Sequence, residues 1–140
     1  MALRGKSFQP AGRYLPGGLV DVKGDRVMLV LSTVPGKESA RIAEVMVNER
    51  LVACVNATPV KSTYRWKGEI CRDREELLVM KTKESLFPDV MKRLREIHPC
   101  EVPEILAVPV WGGFPGYLDW VMEETGRGSG WEPDRRPSNQ

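Results

Sequence analysis

One long β-hairpin is the feature of this sequence that most constrains the fold. Residues 50–83 contain two arms rich in β-branched and aromatic side chains, which suit a pleated sheet. Lys67 and Gly68 separate the arms, and glycine readily adopts the backbone conformation that a two-residue turn requires. Closing the hairpin at this turn predicts three cross-strand pairs: Trp66 with Glu69, Tyr64 with Cys71, and Cys54 with Lys81.

The two halves of the hairpin differ in polarity. Residues 63–76, the outer half, are mostly polar and charged, whereas the inner half is apolar on both faces, as in residues 52–55. A strand with one face in water alternates apolar and polar residues instead. The pattern therefore predicts a projecting tip and an inner half that is covered on both sides. Pro59 has no N–H to give to a ladder, which places its strand at an edge or a bulge.

The remaining segments alternate between strand and helix patterns. Residues 27–31 (VMLVL) indicate a buried central strand, and residues 105–110 (ILAVPV) a last strand at an edge. Apolar residues recur at helical spacing in residues 42–47, 87–97 and 117–122, which predicts three helices. Ser85 is the expected N-cap of the second helix, and Pro99 ends it.

The order strand, helix, strand, strand, helix, strand predicts an α+β fold of the split βαβ type, with an additional C-terminal helix. Two helices cover one face of a four-stranded antiparallel sheet. The first strand, the inner half of the hairpin and the last strand are nevertheless apolar on both faces. We therefore expect the second face to be buried by another subunit.

Composition divides the 140 residues into three parts. Residues 1–25 are expected to form a flexible N-terminal extension, residues 26–126 the folded domain, and residues 127–140 a flexible tail, because neither end shows apolar periodicity. Residues 27–125 carry 13 basic and 15 acidic side chains, a balance that argues against a nucleic-acid partner. The chain contains no apolar run long enough to predict a membrane span.

Three cysteines, an odd number, and the lack of a secretory signal pattern indicate a reduced, cytoplasmic protein. The first acidic residue is Asp21, and the preceding segment is basic. Targeting to an organelle by this extension is therefore the alternative, although a simply disordered or artificial extension is favoured over it.

Six segments, in order along residues 27–125, resemble the CutA family of divalent-cation-tolerance proteins: VLSTVP, ERLVACVN, YRWKGEI, LLVMKT, HPCEVPE and YLDW. The resemblance implies a ferredoxin-like subunit with a long central hairpin that reaches across to neighbours in a compact trimer. It also implies a role in tolerance of copper and other divalent metals, with metal binding in some members.

His98 is the only histidine, and it lies two residues before Cys100 in an extended, proline-bounded segment. Imidazole and thiolate suit copper or zinc, and Glu101 adds a carboxylate. These three residues are the predicted metal site. Family members that bind copper have a cysteine at the position of Ser32 and a further histidine at that of Ile97, so only His98 carries over. The alternative is that His98 caps the C-terminus of its helix.

Other polar or amphipathic side chains within the matching segments form a predicted cleft between subunits for a small molecule: Tyr64, Trp66, Lys81 and Glu104. The alternative role for this set is hydrogen bonding and ion pairing at a subunit interface.

The chain has no phosphate-binding glycine loop, paired CxxC motif or HExxH motif. We therefore expect no enzymatic activity, and a hydrolase using His98 and Glu101 is a remote alternative. The leading hypothesis is a non-enzymatic homotrimer of metal homeostasis that binds copper or another divalent cation weakly. The alternative is a PII-like trimer for ligand sensing or scaffolding, which binds a small anion or a protein partner in clefts between its subunits.

Overall fold

The computed structural model describes residues 25–126, together with the backbone of two short strands, β1 (Arg13–Leu15) and β2 (Leu19–Asp21). These two strands pair antiparallel with each other. The other residues of the predicted N-terminal extension, and all of the predicted tail at 127–140, lie outside the described residues. Flexibility of both ends therefore stays a prediction.

A four-stranded antiparallel sheet is the centre of the fold, with strand order β4-β5-β3-β6. Along the chain its elements are β3 (Val27–Val34), α1 (Gly36–Asn48), β4 (Cys54–Trp66), β5 (Glu69–Lys83), α2 (Phe87–Ile97), β6 (Leu106–Pro109) and α3 (Pro115–Glu124). This order confirms the predicted βαββαβ arrangement with an additional C-terminal helix.

The hairpin of β4 and β5 has the predicted register. Cys54 lies opposite Lys81, and the pairing continues without interruption to the pair nearest the turn. Lys67 and Gly68 both have positive φ, 49° and 80°, as a two-residue turn between twisted strands requires. β4 is an edge strand and has a neighbouring strand on one side only. The missing N–H of Pro59 therefore interrupts no pairing with a second neighbour.

Helices α1 and α2 cover one face of the sheet. Alternate residues of a strand point to the same face, so one set of β3 and β5 side chains meets both helices. The resulting core consists of residues that are at most 1% exposed: Val30, Val34, Ile42, Met46, Val52, Leu78, Met80, Val90 and Leu94. The predicted apolar stripes thus face the core through Ile42, Met46, Val90 and Leu94, whereas Val47 and Met91 of the same predicted stripes are exposed.

Among residues 25–126, only one end of the other sheet face is covered. There α3 packs through Val121 against Val27, on the side of β3 opposite to the core. The rest of this face, called here the open sheet face, consists of apolar side chains that are half-buried or exposed: Leu29, Leu31, Leu77, Val79, Leu106 and Val108. The prediction that another subunit covers this face stays a prediction.

The start of α2 differs from the prediction. Residues Glu84–Leu86 form a 3₁₀ turn, and α2 begins at Phe87 without a side-chain cap. Ser85 is therefore not the N-cap. Its N–H donates to Asp25 Oδ1 at 2.8 Å and its hydroxyl donates to Asp25 Oδ2, which ties the turn to the chain before β3. The hydrogen-bond partner of this serine is 60 residues away, so the local sequence could not reveal its role.

Candidate functional site

His98 lies directly after α2 and is 8% exposed. Its ring reaches β3, where Nε2 is 2.9 Å from the carbonyl oxygen of Thr33. The backbone N–H of Cys100 donates to Nδ1 at 3.1 Å. The residue is the C-cap of α2, since its own N–H donates to Leu94 O at 2.8 Å. The ring itself is directed to β3 rather than to the carbonyls at the end of the helix.

Cys100 and Glu101, the other predicted metal ligands, are exposed in the loop that follows. Desolvation raises the pKa of the Cys100 thiol, and the nearby carboxylates of Glu75 and Asp73 raise it further. The ordinary thiol pKa lies above neutrality, so a raised pKa keeps this thiol protonated at pH 7. A metal ion that binds here must displace this proton, because the thiolate is the species that binds metal.

The metal that the family suggests does not fit these residues in a single subunit. Both nitrogens of His98 already bond to the backbone, and Cys100 and Glu101 are exposed in the loop that follows. Among residues 25–126, moreover, no three His, Cys, Asp or Glu side chains cluster closely enough to hold a metal ion. The site of His98, Cys100 and Glu101 therefore stays a prediction that one subunit does not satisfy.

The four predicted cleft residues do not converge within one subunit. Tyr64 and Trp66 are exposed near the tip of the hairpin, whereas Lys81 is half-buried at its base, opposite Cys54. The ten residue steps along β4 from Cys54 to Tyr64 span roughly 33 Å of extended strand. Glu104 is exposed in the segment before β6. A single cleft that contains all four residues requires more than one copy of the chain.

Lys81 has a sulfur neighbour on the adjacent strand. Its Nζ is 3.9 Å from Cys54 Sγ and 3.4 Å from the carbonyl oxygen of Val79. Tyr117 of α3 lies beside Cys54, and burial first and the interaction with Cys54 second raise the pKa of its hydroxyl. The register predicted the pairing of Cys54 with Lys81, but the approach of α3 was not readable from the pattern.

Asp73 is a polar partner that sequence reasoning missed. The Tyr64 hydroxyl donates to Asp73 Oδ2, and this bond is the first cause that raises the pKa of Tyr64 to about 12. Asp73 lies directly opposite Ser62 in the ladder and therefore diagonally across the hairpin from Tyr64. Diagonal neighbours are within reach of long side chains, so the predicted register already contained the signal.

The sheet order and the helices on one face define the class: an α+β, ferredoxin-like subunit. Solved structures of the same shape include the divalent cation tolerance protein (Cut A1) of Thermus thermophilus, which is 49% identical with a TM-score of 0.69 and covers 71% of this chain and 99% of its own. The PII-like protein CutA of Nostoc sp. PCC 7120 is 38% identical, with a TM-score of 0.69 over 71% of this chain and 97% of its own.

A family model described as CutA1 divalent ion tolerance protein matches residues 28–124. The chain belongs to the CutA family of divalent-cation-tolerance proteins, which confirms the resemblance. The curated protein from Thermus thermophilus is 50% identical over 100 residues, 70% of this chain and 97% of that protein. The chloroplastic CutA 1 of rice is 41% identical, and the match spans 56% of its length.

The names of the family and of these relatives carry no enzymatic activity. None of the helices within the described part of the chain is long and apolar enough to cross a membrane.

Proposed function

We propose that this chain acts as a non-enzymatic homotrimer in divalent-cation tolerance, binding copper or another divalent cation weakly. The open sheet face is the observation that carries the assembly. Leu106 is 53% exposed and Val108 41% exposed, beside four half-buried leucine and valine side chains of β3 and β5. Contiguous apolar patches of this kind mark interaction surfaces.

The energy available at the open sheet face is sufficient for association. Fully burying one large aliphatic side chain contributes about 1.5–3 kcal/mol, so half of each contributes about 1 kcal/mol. Six such side chains therefore offer several kcal/mol per subunit. The occupant we propose is a second and third copy of the same chain, in agreement with the oligomer that the family resemblance implies.

The tip of the hairpin supports the same conclusion. β3 ends opposite Glu76, so residues 60–75 form a two-stranded ribbon that extends beyond the sheet. An isolated two-stranded ribbon is marginally stable in water. The ribbon also alternates in charge, with Arg72, Asp73, Arg74 and Glu75 in succession. A neighbouring subunit supplies the contacts that this ribbon lacks in a single copy.

Weak metal binding is what the ligand geometry supports. A zinc site normally takes three or four protein ligands. Residues 25–126 of one subunit provide no such group, so binding uses ligands shared between subunits or scattered surface carboxylates. Calorimetric titration of the trimer with Cu(II) and Zn(II) tests this directly. A tight site in the isolated subunit would contradict it.

A cellular experiment tests the role itself. Cells that express the wild-type chain should tolerate more copper than cells that express Leu106→Glu, which places a charge on the open sheet face. Val47→Glu, on the exposed side of α1 at 42% exposure, is the matched control and should protect like the wild type. Equal copper sensitivity of all three strains and of cells without the protein would contradict the proposed function.

A PII-like role is the second candidate. The structural match to a protein named PII-like, together with the exposed aromatic pair Tyr64 and Trp66, favours a small anion or a protein partner bound between subunits. Lys81 supplies a positive charge for such an anion. Binding of an anionic metabolite that is lost in Lys81→Ala, in a chain that binds no metal, would favour this candidate over the first.

The proposed location is the cytoplasm. The rice and Arabidopsis relatives are named chloroplastic, which is compatible with the alternative that the N-terminal extension directs the chain to an organelle. Fusing residues 1–25 to a fluorescent protein distinguishes the two locations.

A further inference from the structure

The ring of His98 has no free nitrogen. The N–H of Cys100 donates to Nδ1, so Nδ1 carries a lone pair and the ring proton is on Nε2. Nε2 donates that proton to the carbonyl oxygen of Thr33 at 2.9 Å. The ring is therefore the neutral Nε2–H tautomer, with its one donor and its one acceptor both bonded.

These bonds join three parts of the fold. β6 pairs with β3 only as far as Leu106, which lies opposite Leu31. The ring of His98 meets the next stretch of that edge of β3, at Thr33. The N–H of His98 donates to the carbonyl oxygen of Leu94 in the last turn of α2. The bond from the Cys100 N–H to the ring connects the loop that leads to β6 with the same histidine. Because the ring is buried, breaking either bond leaves a polar group without water to replace its partner.

A metal ion can reach this ring only by breaking the network. Ligation at Nδ1 takes the lone pair that the Cys100 N–H uses. Ligation at Nε2 moves the ring proton to Nδ1, where it faces another N–H donor, and also loses the bond to Thr33. Cys100 and Glu101 are both exposed, and no group of three His, Cys, Asp or Glu side chains among residues 25–126 is placed to hold a metal ion against this loss.

We infer that His98 has a structural role in this chain and is not a metal ligand, so that cations bound by the assembly contact other residues. The two ring hydrogen bonds of His98, to Thr33 and to Cys100, are called here the lock. The inference rests on the proposed function only in assuming that a cation is bound somewhere. The lock holds the loop of residues 98–104 against β3 and thereby positions β6, which carries Leu106 and Val108 of the open sheet face.

A series of substitutions at one position tests the lock through stability. His98→Asn can keep an acceptor for the Cys100 N–H, and His98→Gln can keep a donor for Thr33, whereas His98→Ala keeps neither. We expect the denaturation midpoint without metal to fall most in His98→Ala and less in the other two. Cys100→Ser should leave the midpoint unchanged, because the lock uses only the backbone N–H of residue 100. A midpoint unchanged in His98→Ala would overturn the inference.

Zinc titration tests the metal side with the same proteins, after light scattering has confirmed one assembly state for all. The ring ¹⁵N signals of wild-type His98 should remain those of the neutral Nε2–H tautomer throughout the titration with Zn(II). The three His98 variants should bind Zn(II) and Cu(II) like the wild type. A saturable shift of either ring signal, with cation binding lost in all three variants, would overturn the inference.

Different results contradict the proposal of weak metal binding and the inference about His98. A wild-type protein that binds no cation contradicts the weak metal binding proposed above. The lock is then supported if His98→Ala still shows the largest loss of stability and the ring keeps its tautomer, and it is contradicted if either result is absent.

Discussion

Replacing Thr82 by valine tests how the sheet is fastened to the segment between α1 and β4. Thr82 is 0% exposed, and its hydroxyl donates to the carbonyl oxygen of Leu51 at 2.6 Å. Valine has the same shape, so Thr82→Val opens no cavity and removes only the donor. The carbonyl of Leu51, a half-buried residue, then loses this donor. Losing a hydrogen-bond donor in this way costs about 1–3 kcal/mol of unfolding free energy.

Ser32→Ala is the matched control on the neighbouring strand. Ser32 is also 0% exposed and lies on the same sheet face, but among the residues that the structure describes its hydroxyl has no hydrogen-bond partner. Burying an unpaired hydroxyl is unfavourable. We therefore expect Ser32→Ala to leave stability unchanged or to raise it by about 1 kcal/mol.

Guanidinium denaturation followed by circular dichroism measures both effects. All proteins are compared at one subunit concentration, because the stability of an oligomer depends on concentration. An unchanged m-value shows that the shift in midpoint reports stability. A Thr82→Val protein as stable as the wild type, or a Ser32→Ala protein that loses as much as Thr82→Val, would refute the reasoning.

Two further predictions concern single side chains. In Asp73→Ala, ultraviolet titration should show the pKa of Tyr64 falling from about 12 toward the ordinary tyrosine value, because the hydrogen bond and charge that disfavour the phenolate are lost; an unchanged pKa would count against this pairing. Arg50 donates to the carbonyl oxygens of Glu123 and Gly126 at the end of α3. Arg50→Ala should cost about 1 kcal/mol and speed amide exchange in residues 121–126, and wild-type exchange there would contradict it.

The hairpin was predictable in detail because its signals are local. A two-residue turn fixes which residues face each other, and strand periodicity then sets every pair from Trp66 and Glu69 to Cys54 and Lys81. The central position of β3 and the edge positions of Pro59 and Pro109 followed from apolar runs and from the missing proline N–H.

The site was not predictable, because its contacts join distant parts of the chain. His98 and Thr33 are 65 residues apart, and no local pattern shows that the ring nitrogens bond to the backbone. Residue type alone suggested a ligand. The four predicted cleft residues lie apart within one subunit for a related reason: Tyr64 and Lys81 lie in adjoining matching segments, but an extended strand separates them by most of its length. The cleft between subunits stays a prediction.

The mass of the assembly in solution tests the central claim most directly. Multi-angle light scattering across a range of concentrations should give three times the chain mass of 15.8 kDa for the wild type and for Val47→Glu. Leu106→Glu should give a smaller mass with unchanged circular dichroism, because its side chain is exposed in one subunit but meets another copy at the open sheet face. A wild-type mass of one chain at every concentration would contradict the account.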